Sequence, residues 1–241
     1  MTAIDLLIRR LRMRVPLSDE EIDALQSLPT SIARYARRDY IVRAGVPQHS
    51  SRIMLEGWAA RSNTFGDGRR QITQLHVPGD FFDLHSFLIK SLEHDVFAVT
   101  PCVIAEVDHV RLREITERLP HLTRLLWMLT VIDAANYREW LTLMGQADAY
   151  RHIAFIICEL YVRQEAVGLA SGHEMDFPLT QEELGEVCGI TSIHVNRVLQ
   201  ELRRDGLIVT TGRRLFMPDW QRLSAAALFD PTYLSLGPLP R

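Results

Sequence analysis

The sequence has few cysteines, and they lack the close spacing that metal sites and disulfide frameworks use. Cys102, Cys158 and Cys188 are the three cysteines of the chain, and no two of them form a CxxC pair. Structural zinc sites and disulfide-stapled domains need closely and regularly placed cysteines. We therefore expect three small buried hydrophobic side chains in a reducing compartment, and no metal site built from them.

Long hydrophobic runs are also missing. A membrane-spanning helix needs roughly 18 consecutive apolar residues, and no stretch of the sequence approaches that length. At the N-terminus, where a secretory signal would lie, Arg9, Arg10, Arg12 and Arg14 interrupt the apolar pattern. With 47% hydrophobic and 24% charged residues, the composition is typical of a folded soluble protein. We predict a cytoplasmic protein with no membrane partner.

A strong net charge is absent as well. The formal charge is −3 over 241 residues, so no global positive field predicts binding to a polyanion. Any contact with nucleic acid must depend on a local basic patch. The length suits one large domain or two modest ones.

The motifs of common enzyme classes do not occur. The sequence has no GxSxG, no phosphate-binding P-loop and no GxGxxG. His49-Ser50-Ser51 has no surroundings typical of a catalytic triad, and the HxH…E…H arrangement of a cupin metalloenzyme is missing. We therefore predict that the protein is not an enzyme and needs no cofactor.

Hydrophobic patterning changes along the chain and predicts an α+β protein in four segments. Residues 1–30 are predicted as N-terminal helices and residues 31–108 as a β-roll. Residues 109–145 are predicted as a helical connection and a long helix. Residues 146–241 are predicted as a C-terminal winged helix-turn-helix domain, which ends in an extended tail containing Pro231, Pro238 and Pro240.

The β segment has short runs of aromatic and β-branched residues between turn signals at nearly regular spacing. Gly45, Gly57 and Pro78-Gly79-Asp80 provide the turns, and Gly66-Asp67-Gly68 is a strong hairpin signal. This pattern predicts an antiparallel, jelly-roll-like roll. An apolar patch follows, which is a short helix packed on the roll or, alternatively, an apolar effector pocket or a signal-transmitting contact with the long helix. It comprises Phe81, Phe82, Leu84, Phe87 and Leu88.

A long apolar stripe runs through the helical segment, before a break near Gly145-Gln146 where a second helix starts. A stripe of this length predicts the seam of a homodimer, and an intramolecular core is the alternative. The predicted seam consists of Leu122, Leu125, Leu126, Leu129, Ile132 and Leu143.

The segment 178–217 predicts a winged helix-turn-helix. Thr180 and Glu183 form a capping box at the start of one helix, Gly189 ends it, and Thr191 caps the next. Gly185 would let the two helices approach closely. After Asp205-Gly206, two β-branched runs around a turn predict a wing, while residues 169–177 are predicted as a polar linker.

In such a motif the second helix, predicted at 191–205, enters the major groove of duplex DNA and its first turns reach the base edges. Arg197 matches guanine O6 and N7, and Asn196 matches adenine. Thr180 is expected to contact phosphate through its hydroxyl and amide, and the wing arginines to contact the backbone. The predicted DNA-binding residues are Thr180, Thr191, Ser192, Ile193, His194, Asn196, Arg197, Arg213 and Arg214.

The local charge supports this interpretation. Residues 192–214 contain five arginines against Glu201 and Asp205, a charge of about +3 in a chain that is acidic overall. Two alternatives remain. One is a solvated helix face in a module that contacts only proteins. The other is a regulator whose DNA binding is gated through the roll by a small molecule, a metal or haem.

With these motifs the chain resembles the Crp/Fnr superfamily of bacterial transcription regulators over nearly its full length. The roll markers are Gly45, Gly57, the Gly66-Asp67-Gly68 hairpin and PGDFF at 78–82. The DNA-binding markers lie in TQEELGEVCGITSIHVNRVLQELRRDGLI. The resemblance implies a homodimer on a palindromic DNA site, with a dimerisation helix around 121–143 and RNA polymerase as a further partner.

Two departures concern recognition and sensing. Relatives that bind cyclic nucleotides carry an Arg-Ser/Thr-Ala triplet, where this chain has Leu92-Glu93-His94. The cyclic phosphate would therefore lose its arginine and meet a carboxylate. At the start of the recognition helix, Ile193 replaces a glutamate of the cyclic-AMP and fumarate–nitrate branches, although Arg197 is retained. We expect no gating by cyclic AMP in the usual way, and a different half-site.

The residues that an iron–sulfur, metal or haem sensor would need are largely missing from this sequence. The iron–sulfur branch needs clustered N-terminal cysteines, and none precedes Cys102. His76, His85 and His94 lie near the predicted effector region, but without HxH or HxxxH spacing. We expect surface or hydrogen-bonding histidines rather than a metal or haem site, and the effector stays unassigned.

Overall fold

The computed structural model describes residues 3–238 and divides the chain into two compact units. The first contains Met1–Asn63, Gln74–Asn136 and Leu234–Arg241. The second contains Thr64–Thr73 and Tyr137–Tyr233. No helix within residues 3–238 is both long and apolar enough to cross a membrane.

Two short helices open the first unit, as predicted. Helix α1 (Ala3–Arg12) buries Ile4, Leu7, Ile8 and Leu11 on one face, and helix α2 (Asp19–Gln26) begins at a capping box formed by Ser18 and Glu21. Arg10 of α1 forms a buried ion pair with Asp80. The capping box satisfies free amides of the first helical turn and so fixes where α2 starts.

The predicted antiparallel β-roll is confirmed as two sheets. One sheet has the strand order β1-β7-β3 and the other β2-β6-β4-β5. The strands are β1 (Ser31–Tyr35), β2 (Tyr40–Val42), β3 (Ser50–Glu56), β4 (Ala59–Thr64), β5 (Arg70–His76), β6 (Asp95–Ala98) and β7 (Cys102–Asp108). The predicted hairpin joins β4 to β5, where the amide of Phe65 donates to the carbonyl of Arg69 at 2.8 Å.

The apolar patch after Gly79 packs on both sides of the roll. Phe81 and Leu84 join a cluster with the N-terminal helices, while Phe82 joins the cluster between the sheets. A short 3-10 helix spans Leu84–Phe87. The packed-helix alternative is therefore the correct one for most of the patch, except that Leu88 is exposed.

Three helices follow the roll: α3 (His109–Arg118), α4 (Pro120–Gln146) and α5 (Ala149–Val167). The predicted break near Gly145 is confirmed, and the side chain of Asp148 caps α5 by accepting from the amide of Arg151. The break before Pro120 was not predicted. It follows from the chemistry of proline, whose ring suits the first turn of a helix and whose missing N–H costs nothing there.

The leucine stripe of α4 is buried within its own chain. Leu122, Leu125 and Leu126 pack against the N-terminal helices, with Leu129 partly buried beside them. Ile132 and Leu143 are buried as well. This packing favours the alternative of an intramolecular core, and the homodimer seam at these residues stays a prediction.

A different face of α4 carries exposed apolar side chains. They are Trp127, Val131, Tyr137, Leu141 and Met144, with Trp127 69% exposed. The sequence pattern alone did not separate the two faces, since both are apolar.

The second unit ends the chain with helices α6 (Gln181–Cys188), α7 (Ser192–Arg204) and α8 (Trp220–Ala227). Its sheet has the order β8-β10-β9, formed by β8 (Glu174–Asp176), β9 (Val209–Thr211) and β10 (Arg214–Phe216).

Neither β8 nor α8 was predicted from the sequence. Residues 174–176 were assigned to a polar linker, but they pair with β10 as a third wing strand. The extended-tail prediction was also wrong for α8 and for a 3-10 helix at Pro231–Leu234, while Pro240 lies outside the described residues.

Candidate nucleic-acid interface

Local signals in the sequence build the helix-turn-helix. The Thr180–Glu183 capping box starts α6, and Gly189 ends it in a left-handed conformation with φ of 69°. A Cβ at Gly185 would lie 2.6 Å from the carbonyl oxygen of Ile190, so only glycine permits this close approach. Thr191 caps α7 by accepting from the amide of His194 at 3.3 Å.

Helix α7 has one buried and one exposed face. Val195, Val198, Leu199 and Leu202 are buried and hold the helix to the rest of its unit. The first turns of the other face carry the predicted base-contacting residues. This arrangement leaves the polar side chains of the first turns of α7 accessible, and the major groove of duplex DNA is wide enough to admit such a helix.

The two most informative side chains of that face differ in chemistry. Arg197 is exposed, and across residues 3–238 it forms no hydrogen bond or ion pair. Ile193 is 83% exposed, which is unusual for a large aliphatic side chain on a folded surface. Its methyl groups can contact a thymine methyl and can accept no hydrogen bond from cytosine.

Asn196 is held by two neighbouring amides. Its Nδ2 donates to Oε1 of Gln181 at 3.1 Å, and its Oδ1 accepts from Nε2 of Gln200 at 2.9 Å. These hydrogen bonds could not be predicted from the sequence, because Gln181 lies on a different helix.

The amide and the hydroxyl of Thr180 both donate hydrogen bonds within the helix cap of α6. Its amide donates to Oε2 of Glu183 at 2.8 Å, and its hydroxyl donates to the same oxygen at 2.9 Å. Both donors that were assigned to a phosphate are thus used within the capping box. Thr180 is therefore a helix cap, and its contact with phosphate stays a prediction.

The wing arginines are paired with acids that the sequence prediction left out. Arg213 bonds Asp176 at 2.9 Å, and Arg214 bonds Glu174 at 2.7 Å. The bond to Glu174 raises the pKa of Arg214 above its usual value. Counting both acids lowers the local charge from about +3 to about +1.

The β4–β5 hairpin contacts the first helix of the motif within the second unit. Arg70 forms a 2.7 Å ion pair with Glu186, and Nε2 of Gln71 donates to the carbonyls of Glu186 and Val187 at 2.6 and 3.1 Å. These carbonyls belong to the last turn of α6, which lacks intrahelical donors. A groove of about 610 Å³ lies beside this contact and reaches Thr191 and Ser192.

A separate polar cluster lies inside the first unit. Arg61 donates to Gln74 at 2.7 Å, to Asp133 at 3.0 Å and to the carbonyl of Phe82 at 2.8 Å. Burial, together with Arg61, lowers the pKa of His85 to about 4 and also lowers the pKa of His94. Both imidazoles are therefore neutral at physiological pH.

The histidine and triplet predictions have mixed outcomes. His76 and His94 are buried, and Nδ1 of His94 lies 3.1 Å from Oε1 of Glu93, which agrees with the hydrogen-bonding alternative. His76 stacks on Phe82, and the ring centroids of His94 and His85 are 5.6 Å apart. In the triplet Leu92-Glu93-His94, the leucine is buried and Glu93 is exposed. Within the described residues, no three His, Cys, Asp or Glu side chains lie close enough to hold a metal ion.

A serine–histidine cluster was not recognised from the sequence. The hydroxyls of Ser51 and Ser86 lie 3.1 and 3.2 Å from Nε2 of His109, and Nζ of Lys90 lies 3.0 Å from Nδ1. An ammonium can only donate, so Nδ1 accepts and the ring proton sits on Nε2. That nitrogen cannot take a proton from serine, so the cluster is a hydrogen-bonded support for the roll.

The cysteines are buried and free, as predicted. Burial raises the pKa of Cys102 to about 11 and that of Cys158 to about 12, and it raises the pKa of Cys188 further. All three are thiols at neutral pH and are poor nucleophiles.

Comparisons with known proteins agree with this architecture. Residues 32–118 match the model of the cyclic nucleotide-binding domain, and residues 151–226 match the Crp-like helix-turn-helix domain. The transcriptional activator protein FnrL of Cereibacter sphaeroides is 30% identical over 174 residues, covering 70% of this chain and 69% of FnrL. The transcriptional activator protein anr of Pseudomonas aeruginosa is 24% identical, covering 88% of this chain and 86% of that protein.

The fold has a close structural match. The structure of FixK2 from Bradyrhizobium japonicum superposes with a TM-score of 0.75 at 24% identity, covering 81% of this chain and 96% of FixK2. Two domain matches, a relative at 30% identity and this shared fold lead to one conclusion. The chain belongs to the Crp/Fnr family of transcription regulators, with a cyclic nucleotide-binding-type roll and a Crp-like helix-turn-helix.

Proposed function

We propose that the protein binds double-stranded DNA as a homodimer at a palindromic operator, with α7 in the major groove. The observation that carries the proposal is the state of Arg197, which is exposed and has no partner in the described chain. An arginine held on a rigid helix without an internal acid has its donors free for guanine O6 and N7.

The proposed recognition surface is narrower than the sequence suggested. Ser192, Ile193, Asn196 and Arg197 face outward on α7 and would reach the bases. Thr191 and His194 lie at the N-terminal end of α7 and would contact the phosphates. Ile193 would prefer a thymine methyl, so the half-site should differ from those read by a glutamate at this position.

The proposed dimer uses the exposed face of α4. Trp127, Val131, Ala134 and Leu141 are exposed at intervals of four, three and seven residues, a heptad spacing that suits pairing with a second copy of the same helix. A two-fold axis along α4 would present two α7 helices to half-sites about 34 Å apart. In such a complex the protein would also contact RNA polymerase.

A selection experiment tests this function. The full chain is incubated with a random duplex pool, bound DNA is recovered over several rounds, and the enriched sequences are read. We expect an inverted repeat whose half-sites are about one helical turn apart. Enrichment of no motif, with binding that depends only on salt concentration, would contradict specific recognition and favour a module that contacts proteins.

A second candidate function is gating by a small polar molecule in the roll. It is favoured by buried polar atoms without partners: Nε2 of His94 and Oδ1 of Asn136 have none in residues 3–238. Asn136 lies one helical turn from Asp133, which bonds Arg61. Such atoms are costly to bury alone, and a ligand with both donors and acceptors would satisfy them.

Thermal shift measurements test this candidate with haem, cyclic AMP and Zn²⁺ as probes. A rise in melting temperature that disappears in Asn136→Ala would support an effector in the roll. A rise that the variant retains would place the ligand elsewhere.

A further inference from the structure

Three amide side chains form a directed hydrogen-bond chain on the surface of the helix-turn-helix. Gln200 donates to Asn196 at 2.9 Å, and Asn196 donates to Gln181 at 3.1 Å. Asn196 and Gln200 are one turn apart on α7, and Gln181 is the first residue of α6. The two hydrogen bonds therefore connect the recognition helix α7 to the start of α6, the other helix of the motif.

The direction of the two bonds fixes which way the Asn196 amide points. Its Oδ1 faces the donor of Gln200, and its Nδ2 faces the acceptor of Gln181. Rotating Asn196 alone by 180° would put two donors opposite each other at one end and two acceptors at the other. Such rotation costs hydrogen bonds at both ends.

The two bonds do not exhaust the amide. A primary amide has two N–H donors and two lone pairs, and the chain uses one of each. The remaining N–H and lone pair are an adjacent donor and acceptor. Adenine presents the complementary pair in the major groove, an N7 acceptor beside an N6 amino donor.

We infer that Gln181 and Gln200 are specificity-determining residues, which hold the Asn196 amide in the orientation that reads adenine and rejects guanine. The inference rests on the proposed DNA-binding function. Guanine presents two acceptors, N7 and O6, so an amide with its oxygen held in place would set Oδ1 against O6. A rotated amide would set Oδ1 against N7 of either purine, so only the held orientation forms both bonds to adenine. Without Gln181 and Gln200 the amide would have to be ordered on binding, and adenine would then be less favoured.

The hydrogen bonds among these three amides are not needed to hold the two helices together. Their crossing is packed by the buried residues Leu184, Val187, Val195 and Val198, with Gly185 at the closest approach. Gln181 and Gln200 are exposed. Removing either side chain should leave folding unchanged and alter only the order of the asparagine.

The test uses the full chain and the motif selected from random duplexes. Affinities are measured for the selected site and for versions in which each adenine is replaced by guanine. The variants are Asn196→Ala, Gln200→Ala, Gln200→Glu and Gln181→Ala. Gln221→Ala is the matched control, an exposed glutamine of α8 away from the chain.

For the wild-type protein we expect one adenine whose replacement weakens binding about tenfold or more, within the usual range for one base contact. Asn196→Ala should abolish that preference. Gln200→Ala and Gln181→Ala should reduce it to about threefold or less, and Gln200→Glu should reduce it further because a carboxylate cannot donate to Oδ1. Gln221→Ala should retain it.

Two results would overturn the inference, and they are distinguishable. If a motif is enriched but the adenine preference survives Asn196→Ala or both glutamine-to-alanine variants, the amide chain does not set specificity. If the wild-type protein enriches no motif, the proposed DNA recognition fails and the inference fails with it.

Discussion

The indole nitrogen of Trp140 donates a 2.8 Å hydrogen bond to the fully buried carboxylate of Glu159. The same carboxylate bonds Arg163 at 2.9 Å and the hydroxyl of Tyr233 at 2.6 Å. Burial beside Glu159 raises the pKa of Tyr233, so this phenol stays protonated and remains a donor. One carboxylate thus joins α4, α5 and the segment after α8 within the second unit.

Loss of this carboxylate should destabilise the protein strongly. In Glu159→Gln, a neutral amide with one acceptor oxygen replaces the two oxygens of the carboxylate, so Trp140, Arg163 and Tyr233 lose charge-assisted hydrogen bonds that are typically worth about 1.5–3 kcal/mol each. We expect urea denaturation to show that loss, while Glu117→Gln on the exposed side of α3 should change stability by less than about 0.5 kcal/mol. Equal stability of the two variants would mean that the hydrogen bonds to this carboxylate contribute little to stability.

Sequence reasoning succeeded here where the physical cause is local. The Thr180–Glu183 box, the Gly189 turn and the Thr191 cap depend on residues within a few positions of each other, so spacing alone reveals them. The alternation of short β runs with turn signals likewise predicted the roll.

It failed where the cause is a contact between distant residues. Glu174 and Asp176 neutralise the wing arginines from about forty positions away, through the pairing of a strand that is too short to be recognised from the sequence. The sequence also could not predict which apolar face of α4 is buried within the chain. That face packs against the N-terminal helices, which are distant in sequence. The amide chain of Asn196 is a third case of this kind.

Arg197→Ala should abolish recognition of the selected operator. Within residues 3–238 its five N–H donors form no hydrogen bond, so they are available to guanine. We expect specific affinity to fall at least about tenfold, the loss of one bidentate base contact. Weak binding that decreases with salt should remain, because phosphate contacts are independent of sequence.

Electrophoretic mobility shift on the operator and on random duplex measures both quantities. Arg118→Ala is the control, since this exposed arginine lies on α3 outside the helix-turn-helix. Unchanged operator affinity in Arg197→Ala would remove this residue from base recognition.

Two substitutions in α4 separate the exposed face from the buried one. Val131→Glu places a charge in the proposed dimer seam and should give folded monomers. Leu126→Glu places a charge in the packed interior of the first unit and should unfold it, because a buried unpaired carboxylate is very costly.

Light scattering and circular dichroism read the two effects. Helix content should be normal in Val131→Glu and reduced in Leu126→Glu. A dimer mass for Val131→Glu would contradict the assignment of the seam.

Stability should fall as the pH is lowered from about 6.5 towards 4. Burial lowers the pKa of His85 and of His152 to about 4, so the folded protein binds fewer protons than the unfolded chain in this window. Their contribution is fully present above the unfolded pKa near 6.5 and is lost as pH falls towards the folded value.

Urea denaturation at several pH values measures this loss, and His152→Gln should lose less stability between pH 6.5 and 4 than the wild-type protein. His152 suits the test because burial alone lowers its pKa. Identical pH dependence in the variant would show that this histidine titrates equally in both states.

The acids of β8 should limit the phosphate contacts of the wing. Glu174→Gln removes the partner that bonds Arg214 at 2.7 Å and leaves a free cation on an exposed strand. We expect tighter binding to random duplex and a slope of log affinity against log salt that is steeper by about 0.9, the value for one added phosphate contact on B-DNA. Arg214→Ala should change the wild-type slope little, because that charge is already neutralised. The double variant Glu174→Gln, Arg214→Ala should return the slope to the wild-type value, whereas a slope that stays steep would show that Glu174 acts through another cation.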